Sequence, residues 1–316
     1  MQPNQTTIKT IALTKHYGKH IGIQNLNLQV NRGEIFGFLG PNGAGKTTTI
    51  RTLLDMIRPT SGRATIFGYD TQQETQKIHN QIAYLPGELG FPKNWTAQRT
   101  IRYMFKLYNR SIKWSAVKQL ASHLNLDMDK KVHELSKGNK QKIGIILTLI
   151  PDVDLLILDE PTSGLDPLIK NEFYKLLAEK QAQSNCTVFL SSHQLEDVEK
   201  VAHRVGIINK GALIEVSTLT ELKKLAFKHV EIQLVSSADA KLPAQLTKRV
   251  KNVSVQDSKL SFVCSRSNLD AVLSWLQTVD FSDVNVRNST LEDIFLEYYQ
   301  VSPYGNSLNS NKGKAA

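Results

Sequence analysis

Three short stretches carry residue types that could do chemistry on a phosphate chain. The first, Gly40-Pro41-Asn42-Gly43-Ala44-Gly45-Lys46-Thr47, fits the pattern GxxxxGK[ST] in full. Glycines let successive backbone N–H groups close around phosphate oxygens, and a following helix adds positive partial charge there. In such a loop Lys46 reaches the β- and γ-phosphates, the Thr47 hydroxyl holds Mg²⁺, and residues 40–48, Thr48 included, form the expected nucleotide-binding set. The second stretch, Leu155-Leu156-Ile157-Leu158-Asp159-Glu160, is an apolar run that ends in two carboxylates. Asp159 suits a Mg²⁺ ion held through water, and Glu160 suits the polarising of an attacking water. The third, Val188-Phe189-Leu190-Ser191-Ser192-His193, ends on an imidazole. A lone histidine after a strand is usually a satisfied surface or core residue, but behind the other two motifs it becomes a candidate for the reaction itself.

These residues need a frame. The run from Glu34 to Leu39 reads as a strand, and residues 46–57 resume with apolar side chains at helical spacing, so the glycine cluster lies between strand and helix. Residues 7–39 alternate short β-like runs with turn signals at Tyr17-Gly18 and Asn31-Arg32-Gly33. Between about residues 93 and 150 the pattern turns helical, as at residues 100–108 and 116–124, which reads as a helical insertion. Strand signals return at residues 155–158, 188–190 and 205–208, so the core is α/β with a mainly parallel sheet. From His229 the runs VEIQLV, LSFVC, LDAVLSWLQ, VNV and LEDIFLEYY suggest a small α+β appendage. The expected organisation is a catalytic domain over residues 1–226, an accessory domain over 227–301 and a disordered tail over 302–316.

Composition narrows the setting. The chain has 316 residues, 41% of them hydrophobic, and a formal net charge of +10. Its longest apolar stretches are broken by Pro151, Asp152 and Asp154 and fall short of the ~18–20 residues a spanning helix needs. The N-terminus MQPNQTTIKT lacks the basic start and apolar stretch of a secretory signal, so a cytoplasmic location is expected. Cys186 and Cys264 have no CxxC spacing and read as small buried hydrophobes. The positive charge favours acidic partners such as nucleotide, anionic lipid or nucleic acid without choosing among them.

Further motifs narrow the class. Leu135-Ser136-Lys137-Gly138-Asn139-Lys140-Gln141 resembles the LSGGQ signature of ABC ATPases, Pro161-Thr162-Ser163-Gly164-Leu165-Asp166 resembles their D-loop, and Ser191-Ser192-His193 their switch histidine. Tyr17 matches the aromatic residue that stacks on adenine in that family. The resemblance covers about residues 6–222 and implies a P-loop core of ABC type with an antiparallel β subdomain and a helical insertion. It implies ATP with Mg²⁺ as ligands, and adds Tyr17, Asp166, Ser136 and Gly138 to the nucleotide-binding set, the last two from a second subunit. The implied partners are a transmembrane permease and a second ATPase subunit, with a homodimer favoured because every motif is present in one chain. The chain would then sit peripherally on the inner face of the membrane. A nucleic-acid-associated ABC ATPase would show paired cassettes or a long coiled coil, and neither is visible, so no nucleic acid is expected. The stretches LSKGNKQK and LEDIFLEYY resemble the drug- and bacteriocin-export group of ABC-2 type.

The sequence departs from the pattern in places. Gly87 stands where the family has glutamine or glutamate, which makes neighbouring Glu88 a candidate contact to Mg²⁺ or its water. Lys137 and Asn139 replace a glycine and the glutamine of the signature. In relatives a permease helix docks between core and insertion; here Leu89, Phe91, Trp95, Tyr103 and Met104 could line that groove. Phe91 and Trp95 are the expected exposed members, and Tyr103 and Met104 the expected core members.

Overall fold

The computed structural model describes residues 6–108, 112–224, 228–235, 242–247 and 249–288. The stretch LEDIFLEYY and the expected tail lie outside the described residues. Contacts divide the chain between Leu219 and Thr220 into two compact units.

The first unit opens with β1 (Thr6–Tyr17), β2 (His20–Leu26) and β3 (Gln29–Asn31), then β4 (Ile35–Leu39) and α1 (Lys46–Leu53). Next come β5 (Ser61–Ile66), β6 (Tyr69–Asp70), α2 (Thr75–His79) and β7 (Ile82–Leu85). Helices α3 (Ala97–Leu107), α4 (Trp114–His123) and α5 (Lys137–Leu149) form the insertion. The unit closes with β8 (Leu155–Asp159), α6 (Pro167–Ser184), β9 (Thr187–Ser192), α7 (Leu195–Glu199), β10 (Arg204–Asn209) and β11 (Ala212–Thr218).

Two sheets result. Strands β2, β1, β5 and β6 pair in that order with β3 also on β1, all antiparallel. The second sheet has the order β11-β10-β4-β9-β8-β7, parallel throughout except for β11 at one edge. Strands β4, β8 and β9 are buried at every residue, as near-continuous apolar runs covered on both faces must be. Because they run the same way, the phosphate loop after β4 and the acidic end of β8 emerge at one sheet edge, where α/β folds bind ligands. Cys186 is buried and free.

Local chemistry sets the helix limits. Thr96 caps α3 by accepting from the Arg99 N–H (3.1 Å), and Ser136 caps α5 by accepting from Asn139 N (3.2 Å). Asp166 caps α6 from Ile169 N (3.0 Å), with Pro167 in the first turn. Helix α1 stops at Leu53, short of residue 57, because Asp55 takes a left-handed φ of 54° and Pro59 follows. The hairpin of β5 and β6 was not expected.

The second unit begins with α8 (Leu219–Lys224), which starts on the last residue of the first, followed by β12 (Lys228–Leu234), α9 (Ala244–Thr247) and β13 (Val250–Gln256). It continues with β14 (Lys259–Cys264), α10 (Leu269–Leu276) and β15 (Phe281–Asn288). The sheet order β13-β14-β12-β15, all antiparallel, is that of a split βαβ arrangement. Val230, Ile232, Leu260 and Phe262 form its core with Val272, Trp275 and Leu276 of α10. Strand β13 was missed by sequence reading because all but its first residue are exposed.

Candidate functional site

Gly45 shapes the loop between β4 and α1. Its φ of 110° is open to glycine, and a Cβ there would stand 2.5 Å from the Gly22 carbonyl oxygen. The loop is tied to its surroundings by Gly40 N–H to Ser192 O (3.2 Å) and Gly211 N–H to Ala44 O (2.9 Å). Lys46, at the start of α1, is only 5% exposed. Its Nζ donates to the carbonyls of Gly40 (2.6 Å) and Pro41 (3.1 Å) and lies 3.2 Å from Glu160 Oε1. That last approach is an ion pair without hydrogen-bond geometry, which leaves a buried carboxylate oxygen lacking a donor.

Asp159, at the end of β8, is 2% exposed. One oxygen accepts from Thr47 Oγ1 at 2.9 Å and the other from Ser191 Oγ at 2.6 Å. Ser191 Oγ also accepts from the Glu160 N–H at 3.2 Å, so one hydroxyl orients both acids. Glu160 itself holds φ at 49°, a left-handed value that a non-glycine residue adopts at a cost and that clusters at functional sites. Its Oε2 lies 2.6 Å from His193 Nδ1. A carboxylate only accepts, so Nδ1 carries the proton. Lys46 and His193 therefore flank one carboxylate, while Thr47 and Ser191 hold the adjacent one.

The other expected residues stand around this cluster. Tyr17 is exposed, and its ring and the Thr48 methyl both crowd the place where a Cβ on Gly22 would stand, at 2.9 and 3.0 Å. Asn42 and Gly43 are exposed in the loop. Ser136 is exposed at the start of α5. Gly138 is buried; a Cβ on it would collide with the Gly164 carbonyl, and Gln141 Nε2 donates to Pro161 O at 3.0 Å, so α5 is clamped to the loop after β8. Asp166 spends its carboxylate on the α6 cap. Glu88 is exposed, and the neighbour that approaches Asp159 is Gly87, where a Cβ would sit 3.4 Å from the Asp159 carbonyl and 3.7 Å from Oδ2.

Sequence reading passed over Ser191 as a ligand of Asp159, since a serine at a strand end carries no motif of its own. It also passed over Tyr84 on β7, whose phenol pKa is pushed up to about 12 by burial and by the Asp159 charge, with Arg51 acting the other way. A groove of about 970 Å³ lies in this unit and is lined by Arg51, Met56, Tyr84, Leu89, Phe91 and Met104 among others. Trp95 is not in its lining. The ring packs edge-on against Tyr103 at 4.9 Å with the Arg99 guanidinium 4.5 Å away, and Tyr103 is exposed while Met104 faces the groove. The expected split is thus reversed for Trp95, half-buried against Tyr103 in the second turn of α3, and for Tyr103, which is exposed; Met104, expected in the core, is half-buried in the groove lining, as is Phe91.

A parallel sheet whose edge gathers a glycine loop, a buried lysine and paired acids defines a P-loop nucleotide hydrolase. The profile of the ABC transporter family matches residues 23–163. The chain is 35% identical over 297 residues to the bacitracin transport ATP-binding protein BcrA of Bacillus licheniformis, covering 92% of this chain and 97% of that one. It is 30% identical over 298 residues to the linearmycin resistance ATP-binding protein LnrL of Bacillus subtilis strain 168, covering 90% and 95%. A bacterial ABC transporter cassette solved as a dimer shares the fold, with a TM-score of 0.61 at 22% identity over 67% of this chain and 98% of that one. The chain belongs to the ABC transporter family, as an ATP-binding and ATP-hydrolysing subunit. Among the described residues no helix is long and apolar enough to cross a membrane.

Proposed function

We propose that this subunit powers export of an antibiotic-like compound through a separate permease, and that hydrolysis runs on the cluster around Glu160. The observation that carries the reading is the convergence of Lys46 at 3.2 Å and His193 at 2.6 Å on the Glu160 carboxylate, next to the Thr47–Asp159 bond. Lys46 and the backbone of residues 40–48 receive the triphosphate, and Tyr17 with its exposed ring receives the adenine. The pair of Thr47 hydroxyl and Asp159 carboxylate is a hard oxygen set of the kind that suits Mg²⁺. When bound, Mg²⁺ supplies positive charge against the phosphate oxygens. Glu160 polarises the attacking water, and His193 holds Glu160 in place through Nδ1.

Cassettes of this family dimerise and pair with permeases. In the proposed cycle, exposed Ser136 and the backbone at Gly138 of one copy close over the nucleotide of the other, so ATP favours the closed pair and its hydrolysis the open one. The groove lined by Arg51, Phe91 and Met104 receives the permease, which keeps the chain on the inner membrane face. Export of an antibiotic-like compound is supported by the names of the two relatives. Size-exclusion chromatography of Glu160→Gln with Mg²⁺ and ATP tests the cycle. A nucleotide-dependent shift to the dimer is expected, and a monomer at saturating ATP would contradict it.

A further inference from the structure

A second buried carboxylate lies next to this cluster and has no part in the reaction as described. Asp197, on α7, is 4% exposed. Its Oδ2 accepts from Thr162 Oγ1 at 2.9 Å and from Ser192 Oγ at 3.2 Å, and its Oδ1 lies 4.0 Å from Lys170 Nζ. The Tyr174 hydroxyl lies close to Thr162 and Asp197 but outside good hydrogen-bond geometry, and burial drives its phenol pKa well up.

The two donors are the point. Thr162 follows Glu160 by two residues, and Ser192 immediately precedes His193. One carboxylate therefore holds the loops that carry both reacting side chains. The same anchor is reinforced on each side. Ser192 Oγ accepts from Gln194 N (3.0 Å), and Lys170 Nζ donates to the Gln194 side chain (3.0 Å), which fixes the turn after His193. On the other loop, Gln141 of α5 donates to Pro161 O (3.0 Å), so the helix that begins at Ser136 reaches Asp197 through residues 161 and 162. Burying a carboxylate is costly, and here two hydroxyls and Lys170 at 4.0 Å compensate it. A core with no task here would be filled as well by an apolar residue.

We propose that Asp197 is a positioning residue for hydrolysis, a strut that fixes the 2.6 Å contact between His193 and Glu160 by holding Thr162 and Ser192 to one carboxylate. The proposal rests on the assignment of Glu160 and His193 given above.

The experiment is steady-state ATP hydrolysis by the full chain with Asp197→Ala, Asp197→Asn, Thr162→Val and, as a reference, Glu160→Gln. Asp197→Ala is expected to lower kcat at least about tenfold with KM for ATP within about threefold, since Thr162 then loses its acceptor and Ser192 keeps only the Gln194 carbonyl (3.1 Å), which frees the two loops from each other beside the water-activating pair. Asp197→Asn keeps an oxygen that can accept from both hydroxyls and should recover most of the loss. Thr162→Val, close to isosteric, should give part of it and add little in the Asp197→Ala background. Should Asp197→Ala fail to fold, Thr162→Val decides alone: a lowered kcat at unchanged KM supports the strut, and a wild-type kcat overturns it. Wild-type kcat in folded Asp197→Ala, or an Asp197→Asn no better than it, also overturns the strut while an inactive Glu160→Gln leaves the site assignment standing. An active Glu160→Gln removes that assignment and the strut with it.

Discussion

The parallel sheet of the first unit and the sheet of the second put their strand ends to different use. In the first unit β4, β9 and β8 lie side by side and parallel, so the residues that follow them meet at one edge: the glycine loop, Ser191 to His193, and Asp159 with Glu160. In the second unit neighbouring strands alternate in direction, so the residues that follow adjacent strands leave at opposite edges. Burial follows the same division. Strands β4, β8 and β9 are covered throughout, which leaves their polar tips as the sole outlet for chemistry, whereas β13 and β15 present exposed residues along their length. Concentrating reactive groups is thus a property of parallel strands with both faces covered. The second unit packs one face of its sheet against α10.

Four substitutions can break or sharpen this contrast. The largest effect is expected from Lys46→Ala, which removes a buried cation from the phosphate loop; hydrolysis should vanish and ATP binding weaken by about 2–5 kcal/mol in isothermal titration. Retained turnover would place the reaction elsewhere. Ser191→Ala strips one hydrogen bond from Asp159 and one from the Glu160 amide, and turnover should fall about 10- to 100-fold with the fold intact by circular dichroism. Trp275→Ala hollows the core of the second unit and should destabilise it by about 3–5 kcal/mol on denaturant melting, yet leave ATP turnover within about twofold. A parallel loss of turnover would show that the two units do not act independently. Glu88→Ala should have the smallest effect, within about twofold, because that side chain is exposed while Gly87 faces Asp159. A tenfold loss would mean that Glu88 reaches the metal when the site closes.

Much of the catalytic half could be read from the sequence because its determinants are local. Gly45, Lys46 and Thr47 are consecutive, and the run from Leu155 to Glu160 announces both a buried strand and its acidic tip. What escaped reading depends on contacts between distant residues. Ser191 joins Asp159 across 32 positions and Thr162 joins Asp197 across 35, and nothing in either neighbourhood marks a serine or an aspartate as an anchor. Trp95 misled for a related reason. A large ring in a loop beside Pro92 and Asn94 suggests a free surface, but Tyr103, in the second turn of the next helix, supplies a partner. Strand β13 failed for the opposite cause, since a sheet edge with exposed residues on both faces lacks the apolar alternation that identifies strands.

The central claim is that Glu160 serves the chemical step and Lys46 the binding of nucleotide. Equilibrium ATP binding and steady-state turnover, measured side by side on wild type and Glu160→Gln, separate those tasks directly. ATP affinity within about threefold of wild type and turnover lower by about a hundredfold or more are expected, because the substitution removes the charge that polarises water and leaves the phosphate loop untouched. Turnover near the wild-type rate, or binding lost together with it, would contradict the assignment.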